Sequence, residues 1–167
     1  FRDNHPEVEL RLGVHNREAI VQQLADNEID LAIMGRPPQE IETVSEPFAD
    51  NPLVFIAAPD HPLARLKRIE PQRLAKEIFL LREPGSGTRA AMERFLSEHG
   101  VVPQRSVEMT SNETIKQAVM AGMGISFISE RTIALELATR NIARLNVAGT
   151  PLKRQWFIVH RAEKRLL

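Results

Sequence analysis

Residues 78–98, IFLLREPGSGTRAAMERFLSE, restrict the fold more than any other stretch of this chain. Ile78, Phe79, Leu80 and Leu81 form a short apolar run of the kind a buried strand uses, and Ala91, Met92, Phe95 and Leu96 recur at helical spacing. Between them lies the loop Pro84-Gly85-Ser86-Gly87-Thr88. A strand that enters a helix through a glycine-rich loop leaves backbone N–H groups unpaired at the positive end of the helix dipole, here beside Ser86, Thr88 and Arg89. Such a place suits an anion. A cap from Ser86 or Thr88, with the glycines serving only the turn, accounts for the same residues, so the local pattern leaves both readings open.

The rest of the chain repeats this alternation. Residues 8–14 (VELRLGV) alternate apolar and polar side chains as a strand does; His15-Asn16 then caps a helix over 17–27 with Ile20, Val21 and Leu24 on one face. Residues 29–34 read as a buried strand stopped by Gly35-Arg36-Pro37-Pro38, so strand, helix and strand predict a parallel pair with a right-handed crossover. Residues 43–48 fit a weak edge strand, and LVFIAA (53–58) is too apolar for an edge. Pro71 starts a short helix, Gly100 closes the helix after the glycine loop, and 106–110 is a strand. Ser111-Asn112 caps a helix bearing Ile115, Ala118 and Val119 that stops at Gly122 and Gly124. A buried strand (125–128), a helix from Ser129 to about Arg140, and strands at 142–147 and 155–160 complete the chain. Shifted by 95 residues, Ile20 falls on Ile115, Gln22 on Gln117, Leu24 on Val119 and Ile33 on Ile128. The likeness is too short to establish duplication, but it points to two similar α/β lobes, with Asn16-Arg17, Ser111-Asn112 and the Gly85 loop facing one another across a cleft.

Composition removes several kinds of chemistry. Twenty-two basic and twenty-two acidic residues leave a formal net charge of zero, without the basic footprint that grips duplex DNA. The absence of cysteine excludes disulfides, thiol nucleophiles and cysteine zinc sites. The five histidines are scattered without metal-ligand spacing, G-x-S-x-G and G-K-[S/T] are absent, and no acid or histidine partners Ser86, so no metal and no catalytic residue is expected. Gly85-Ser86-Gly87-Thr88-Arg89-Ala90 matches G-x-G-x-x-A, with Glu108 about twenty residues on. A dinucleotide site therefore stays open as an alternative, weakened by Pro84 before the first glycine. Arg17, Arg36 and Arg89 are the cations best placed near helix starts or strand ends, although an ordinary solvated role also fits each. Trp156 on the last strand is expected as a core anchor. With no apolar run of membrane-span length and no signal-peptide pattern, the expected location is the cytoplasm. A start at Phe1 and an end just beyond a strand suggest a piece of something longer.

Six motifs in order, HPEVEL, DNEIDLAIMGRPP, APDHPLA, REPGSGTRAAMERF, SNETIKQAVMAGMGIS and LKRQWFIVHR, resemble the effector-binding domain of LysR-type transcriptional regulators over nearly the whole chain. DLAIMGRPP with PGSGTR and SNETIKQAVMAGMG is similar to the branch that controls the RuBisCO, or Calvin-cycle, operon. The resemblance implies an α/β fold of two Rossmann-like lobes joined by hinge strands, like a type II periplasmic binding protein, truncated at both ends. Lobe I would hold residues 1–53 and 156–167 and lobe II residues 54–155, with crossings near Val54 and Gln155. It also implies a small anionic, phosphorylated effector between the lobes, held by Asn16, Arg17, Ser86, Gly87, Thr88, Arg89, Ser111 and Asn112. No cofactor is implied. The partners would be further copies, as homodimer or tetramer, and operator DNA through an N-terminal winged helix-turn-helix outside this chain, with no membrane. A free-standing solute-binding protein and an NAD(P)-dependent enzyme domain are the alternatives.

Overall fold

The five residues LVFIA at Leu53–Ala57 are buried without exception, which requires cover on both faces of one strand. In the computed structural model, which describes residues 3–164, that cover consists of two hydrophobic clusters. Leu53, Phe55 and Ala57 point into a cluster with Phe79, Met92, Phe95 and Phe127, while Val54 and Ile56 point into one with Leu80, Ile115, Val119 and Ile128. The alternation follows from the two-residue period of a strand. Phe55 sits 4.6 Å from Phe127 and 5.4 Å from Phe95 between ring centroids, so three aromatic rings fill the first cluster.

In chain order the described elements are α1 (Arg17–Ala25), β1 (Ala32–Met34), β2 (Thr43–Asp50), β3 (Leu53–Ala57), β4 (Ile78–Arg82), α2 (Gly87–Glu98), β5 (Arg105–Met109), α3 (Asn112–Met120), β6 (Ser126–Ser129), α4 (Ala134–Ala138), β7 (Ala143–Leu145) and β8 (Gln155–Arg161). Short 3-10 turns occupy Pro62–Arg65, Pro71–Lys76 and Glu130–Ile133. One sheet has the order β1-β8-β2, antiparallel throughout. In the other, β3 is central between β6 and β7, and β4 pairs with β5 in parallel. Ile125, just ahead of β6, bridges to Phe79 in parallel and joins these strands into one run, β5-β4-β6-β3-β7. The fold is α/β. The chain passes from the first sheet to the second between β2 and β3 and returns between β7 and β8. The two passages are tied where the Asn51 N–H donates to the Arg154 carbonyl at 2.7 Å and Leu53 exchanges backbone bonds with Leu152.

Several expectations need correction. Residues 8–14 form no strand: Val8 lies in a bend with its N–H on the His5 carbonyl, 9–14 carry no regular structure, and Leu12 is 95% and Val14 89% exposed. An alternating pattern becomes a strand only when a neighbouring strand takes up its backbone bonds, and no described strand pairs with it. The parallel pair expected around α1 is accordingly absent; β1 pairs with β8 instead, in antiparallel register. Nor is β1 fully buried, since Ala32 and Met34 face the core and Ile33 is 58% exposed. The helix expected from Ser129 to Arg140 is broken into a 3-10 turn and α4, because Ile133 leaves helical geometry at φ −117° and ψ 14°. Trp156 is only partly buried; Phe157 and Val159 of the same strand pack against Leu24 and Met34 in its place. Phe1, Arg2 and residues 165–167, called as part of lobe I, lie outside the described residues.

Candidate functional site

Three helix starts are built as their sequences require. Asn16 Oδ1 accepts from the Ala19 N–H at 3.0 Å, Ser86 Oγ from the Arg89 N–H at 3.5 Å and Ser111 Oγ from the Thr114 N–H at 3.1 Å, the N-cap arrangement in each case. Gly85 adopts φ +83°, a conformation other residues rarely take, and this turn carries β4 into α2. The Glu18 N–H of α1 donates to the Gly85 carbonyl at 3.3 Å, so the first helix is docked on the glycine loop of the second sheet. The N–H groups of Gly87 and Thr88, the first two of α2, have no acceptor among the described residues.

A cavity of about 1040 Å³ lies between α1 and α2 and reaches the segment before β8. Of the eight residues expected to hold an effector, Arg17, Ser86, Gly87 and Arg89 line it. Thr88 sits one residue along α2 but off the wall. Asn16, Ser111 and Asn112 are outside the wall as well, yet they are linked. The Arg82 guanidinium donates to Asn112 Oδ1 at 2.7 Å and in a fork to both Glu83 oxygens at 2.8 and 2.9 Å, and the Asn16 side chain hydrogen-bonds to Glu83. Burial pushes the Glu83 carboxyl up, but Arg82, its own backbone and Asn16 together outweigh this and hold it below the usual carboxylate range. The starts of α1 and α3 are thus joined through one ion pair at the end of β4.

The charges in the cavity are not equally free. Arg89 donates to Glu93 at 2.8 Å and to Glu108 and the Arg82 carbonyl at 2.7 and 3.0 Å, and these two carboxylates hold its guanidinium firmly protonated. Glu108, the acid a dinucleotide fingerprint would aim at a ribose, is committed to Arg89. The Glu40 carboxylate accepts from its own backbone N–H and that of Gln39 and pairs with Arg17 at 3.4 Å, and these bonds, in that order, lower its proton affinity. Arg36, Arg94 and Arg154 also line the cavity and have no carboxylate within ion-pair distance among the described residues. The sequence singled out Arg36 as a well-placed cation, with an ordinary solvated role fitting it as well, and did not single out Arg94 or Arg154. Nothing in the local pattern around RQW marks Arg154, which reaches the cavity only because the chain returns beside Gly35 and Gly87. Among the described residues no group of histidine and acidic side chains is placed to hold a metal ion, and no helix is long and apolar enough to cross a membrane.

The family model described as LysR substrate binding domain matches residues 1–167. The chain is 52% identical over 166 residues to a RuBisCO operon transcriptional regulator of Allochromatium vinosum, covering 99% of the chain and 55% of that protein. It is 53% identical to the HTH-type transcriptional regulator CfxR of Cupriavidus necator, covering 99% and 52%. The chain thus spans about half the length of the curated relatives it matches. Among solved structures, the regulatory domain of Synechocystis PCC6803 CcmR in complex with 2-PG superposes with a TM-score of 0.94 at 42% identity, covering 99% of this chain and 80% of that one. The fold therefore follows the type II periplasmic-binding pattern of two α/β lobes. With a family model matched end to end and two sheets in that arrangement, this chain belongs to the LysR substrate-binding-domain family.

Proposed function

We propose that the chain is the effector-sensing domain of a LysR-type regulator of a RuBisCO operon, and that it takes a small phosphorylated anion between its lobes. The observation that carries this reading is the cavity between α1 and α2, where cations outnumber carboxylates and the Gly87 and Thr88 N–H groups stand free at a helix start. The CcmR domain, solved with 2-PG (2-phosphoglycolate), supports the ligand class. Arg17, Ser86 and Gly87 would form the ligand wall, with the Thr88 N–H behind them at the start of α2, Arg89 would hold the loop against β4, and Asn16, Ser111 and Asn112 would register closure through Arg82 and Glu83. Among the described residues, 3–53 with 156–164 would move as one lobe and 54–155 as the other, hinged at the paired crossings. In the whole regulator, an ion that binds the closed state better shifts the arrangement of a homodimer or tetramer and so the grip of a winged helix-turn-helix on operator DNA, in the cytoplasm. The chain itself performs no catalysis.

Calorimetric titration of the chain with 2-phosphoglycolate, with glycolate as control, tests this. Saturable heat with the phosphorylated acid and none with glycolate is expected. Equal responses to both, or turnover of NAD(P)H in an absorbance assay, would remove the reading; the latter would instead favour an enzyme domain.

A further inference from the structure

Arg154 is placed where both lobes and a crossing strand meet. Its guanidinium occupies the space a side chain on Gly35 would need, and its Nη1 donates to the Gly87 carbonyl at 3.3 Å. Gly35 follows β1 in the first lobe and Gly87 opens α2 in the second, while Arg154 itself immediately precedes β8. Only glycine at position 35 lets the cation lie so close to the backbone. Arg36 and Arg94 line the same cavity and are near enough that both repel it. Burial, followed by these two like charges, lowers its proton affinity, and no carboxylate among the described residues offsets them.

Arg154 is half-buried, and arginines drawn out of water are mostly paired, because an ion desolvated without a counter-charge is costly. Three guanidinium groups around one cavity, none of them paired with the carboxylates Glu18, Glu40, Glu93 and Glu98 that also line it, form an arrangement that an incoming anion completes. We infer that Arg36, Arg94 and Arg154 form an anion subsite at the hinge, which takes the phosphoryl group of the ligand and bridges lobe I to lobe II through Arg154. The guanidinium fork matches the oxygen spacing of a tetrahedral oxyanion, and a dianion answers more of the excess charge than a carboxylate does. The subsite rests on the proposed function for the rest of its ligand, but its own test uses inorganic phosphate.

Melting curves of the chain in rising phosphate, matched in ionic strength with chloride, read the site through the stability that ligand binding adds. The expected result is a saturable rise in midpoint specific to phosphate. Arg154→Gln should weaken the apparent affinity by about tenfold or more, the scale of a lost charge-assisted hydrogen bond. It should also raise the midpoint in the absence of phosphate, since it removes an unpaired charge; a purely structural arginine would lower it. Arg36→Gln and Arg94→Gln, both at exposed positions, should each weaken phosphate by several-fold, and they carry the test if Arg154→Gln does not fold. An unchanged phosphate response in these variants, or no phosphate-specific rise in the wild type, overturns the subsite. If 2-phosphoglycolate binds Arg154→Gln as tightly as wild type, the subsite fails and the proposed function stands. If phosphate depends on Arg154 but 2-phosphoglycolate gains nothing over phosphate, the subsite stands and the phosphorylated-acid effector falls.

Discussion

Glu83 shows how much one carboxylate can connect. It sits at the end of β4 with 16% of its side chain exposed, receives a forked bond from Arg82, and through Arg82 and Asn16 ties the start of α3 to that of α1. Because its proton affinity is lowered in the folded chain, its contribution is present above the ordinary carboxylate pKa of about 4.3 and is lost as pH falls through the depressed value. Glu83→Gln is expected to cost about 1–2 kcal/mol at neutral pH, with the gap to wild type closing in strong acid. Urea denaturation at pH 7 and pH 3 checks this; a gap that stays constant would mean that the charge is irrelevant. A second buried pair behaves differently. Lys116 bonds Glu136 at 2.8 Å with 13% and 12% of the two side chains exposed, and Glu136 Oε2 is buried without a partner. Lys116→Ala strands that carboxylate, and about 2–3 kcal/mol of destabilisation should appear in equilibrium unfolding.

Among the elements, β4 and β6 depend on close approach. The Ile125 N–H donates to the Ile78 carbonyl and the Leu80 N–H to the Ile125 carbonyl, both at 2.8 Å, and Ser126 Oγ donates to the Leu80 carbonyl at 2.7 Å. A methyl group at Gly124 would run into the Ile78 carbonyl, so Gly124→Ala must part the two strands. Its expected cost is about 2–3 kcal/mol, read as a lower thermal midpoint with secondary structure retained by circular dichroism. Gly122 differs, since its φ of +73° serves only the turn after α3 and nothing crowds it. The sequence marked both glycines as the end of a helix. That one of them is a packing residue between strands was not legible, because the carbonyl it meets lies some 46 positions earlier in the chain.

At the scale of the molecule, the bonds across the cleft are few. The Glu18 N–H donates to the Gly85 carbonyl at 3.3 Å and Asn16 meets Glu83, while Arg154 at the crossing lies against Gly35 as it donates to the Gly87 carbonyl. A cleft held by so few bonds is drawn from the low-stability end of the structure, where opening is local and cheap. Occupying the cavity should therefore slow hydrogen exchange of the Glu18 amide on adding 2-phosphoglycolate, while amides of β3, already buried in the second lobe, stay unchanged. Equal protection everywhere would indicate general stabilisation rather than closure of the two lobes.

Local chemistry was enough for the elements whose causes lie within a few residues. The caps at Asn16, Ser86 and Ser111, the turn at Gly85, the all-apolar run at β3 and the edge character of β2 all follow from side-chain size, polarity and the freedom of glycine. The sequence by itself therefore determined the α/β class, most strand and helix positions, and the loop that opens α2 onto the cavity. Tertiary structure decided what depends on neighbours distant in the chain. Residues 8–14 have the pattern of a strand but no described strand to pair with, and Arg89 looks like an anion ligand until Glu93 and Glu108 are seen to neutralise it. Arg154 carries no sequence mark and becomes an unpaired cation only where the returning chain lays it between Gly35 and Gly87. A residue's type sets which charges and bonds it can offer; whether they are spent or free is fixed by what the fold brings against them.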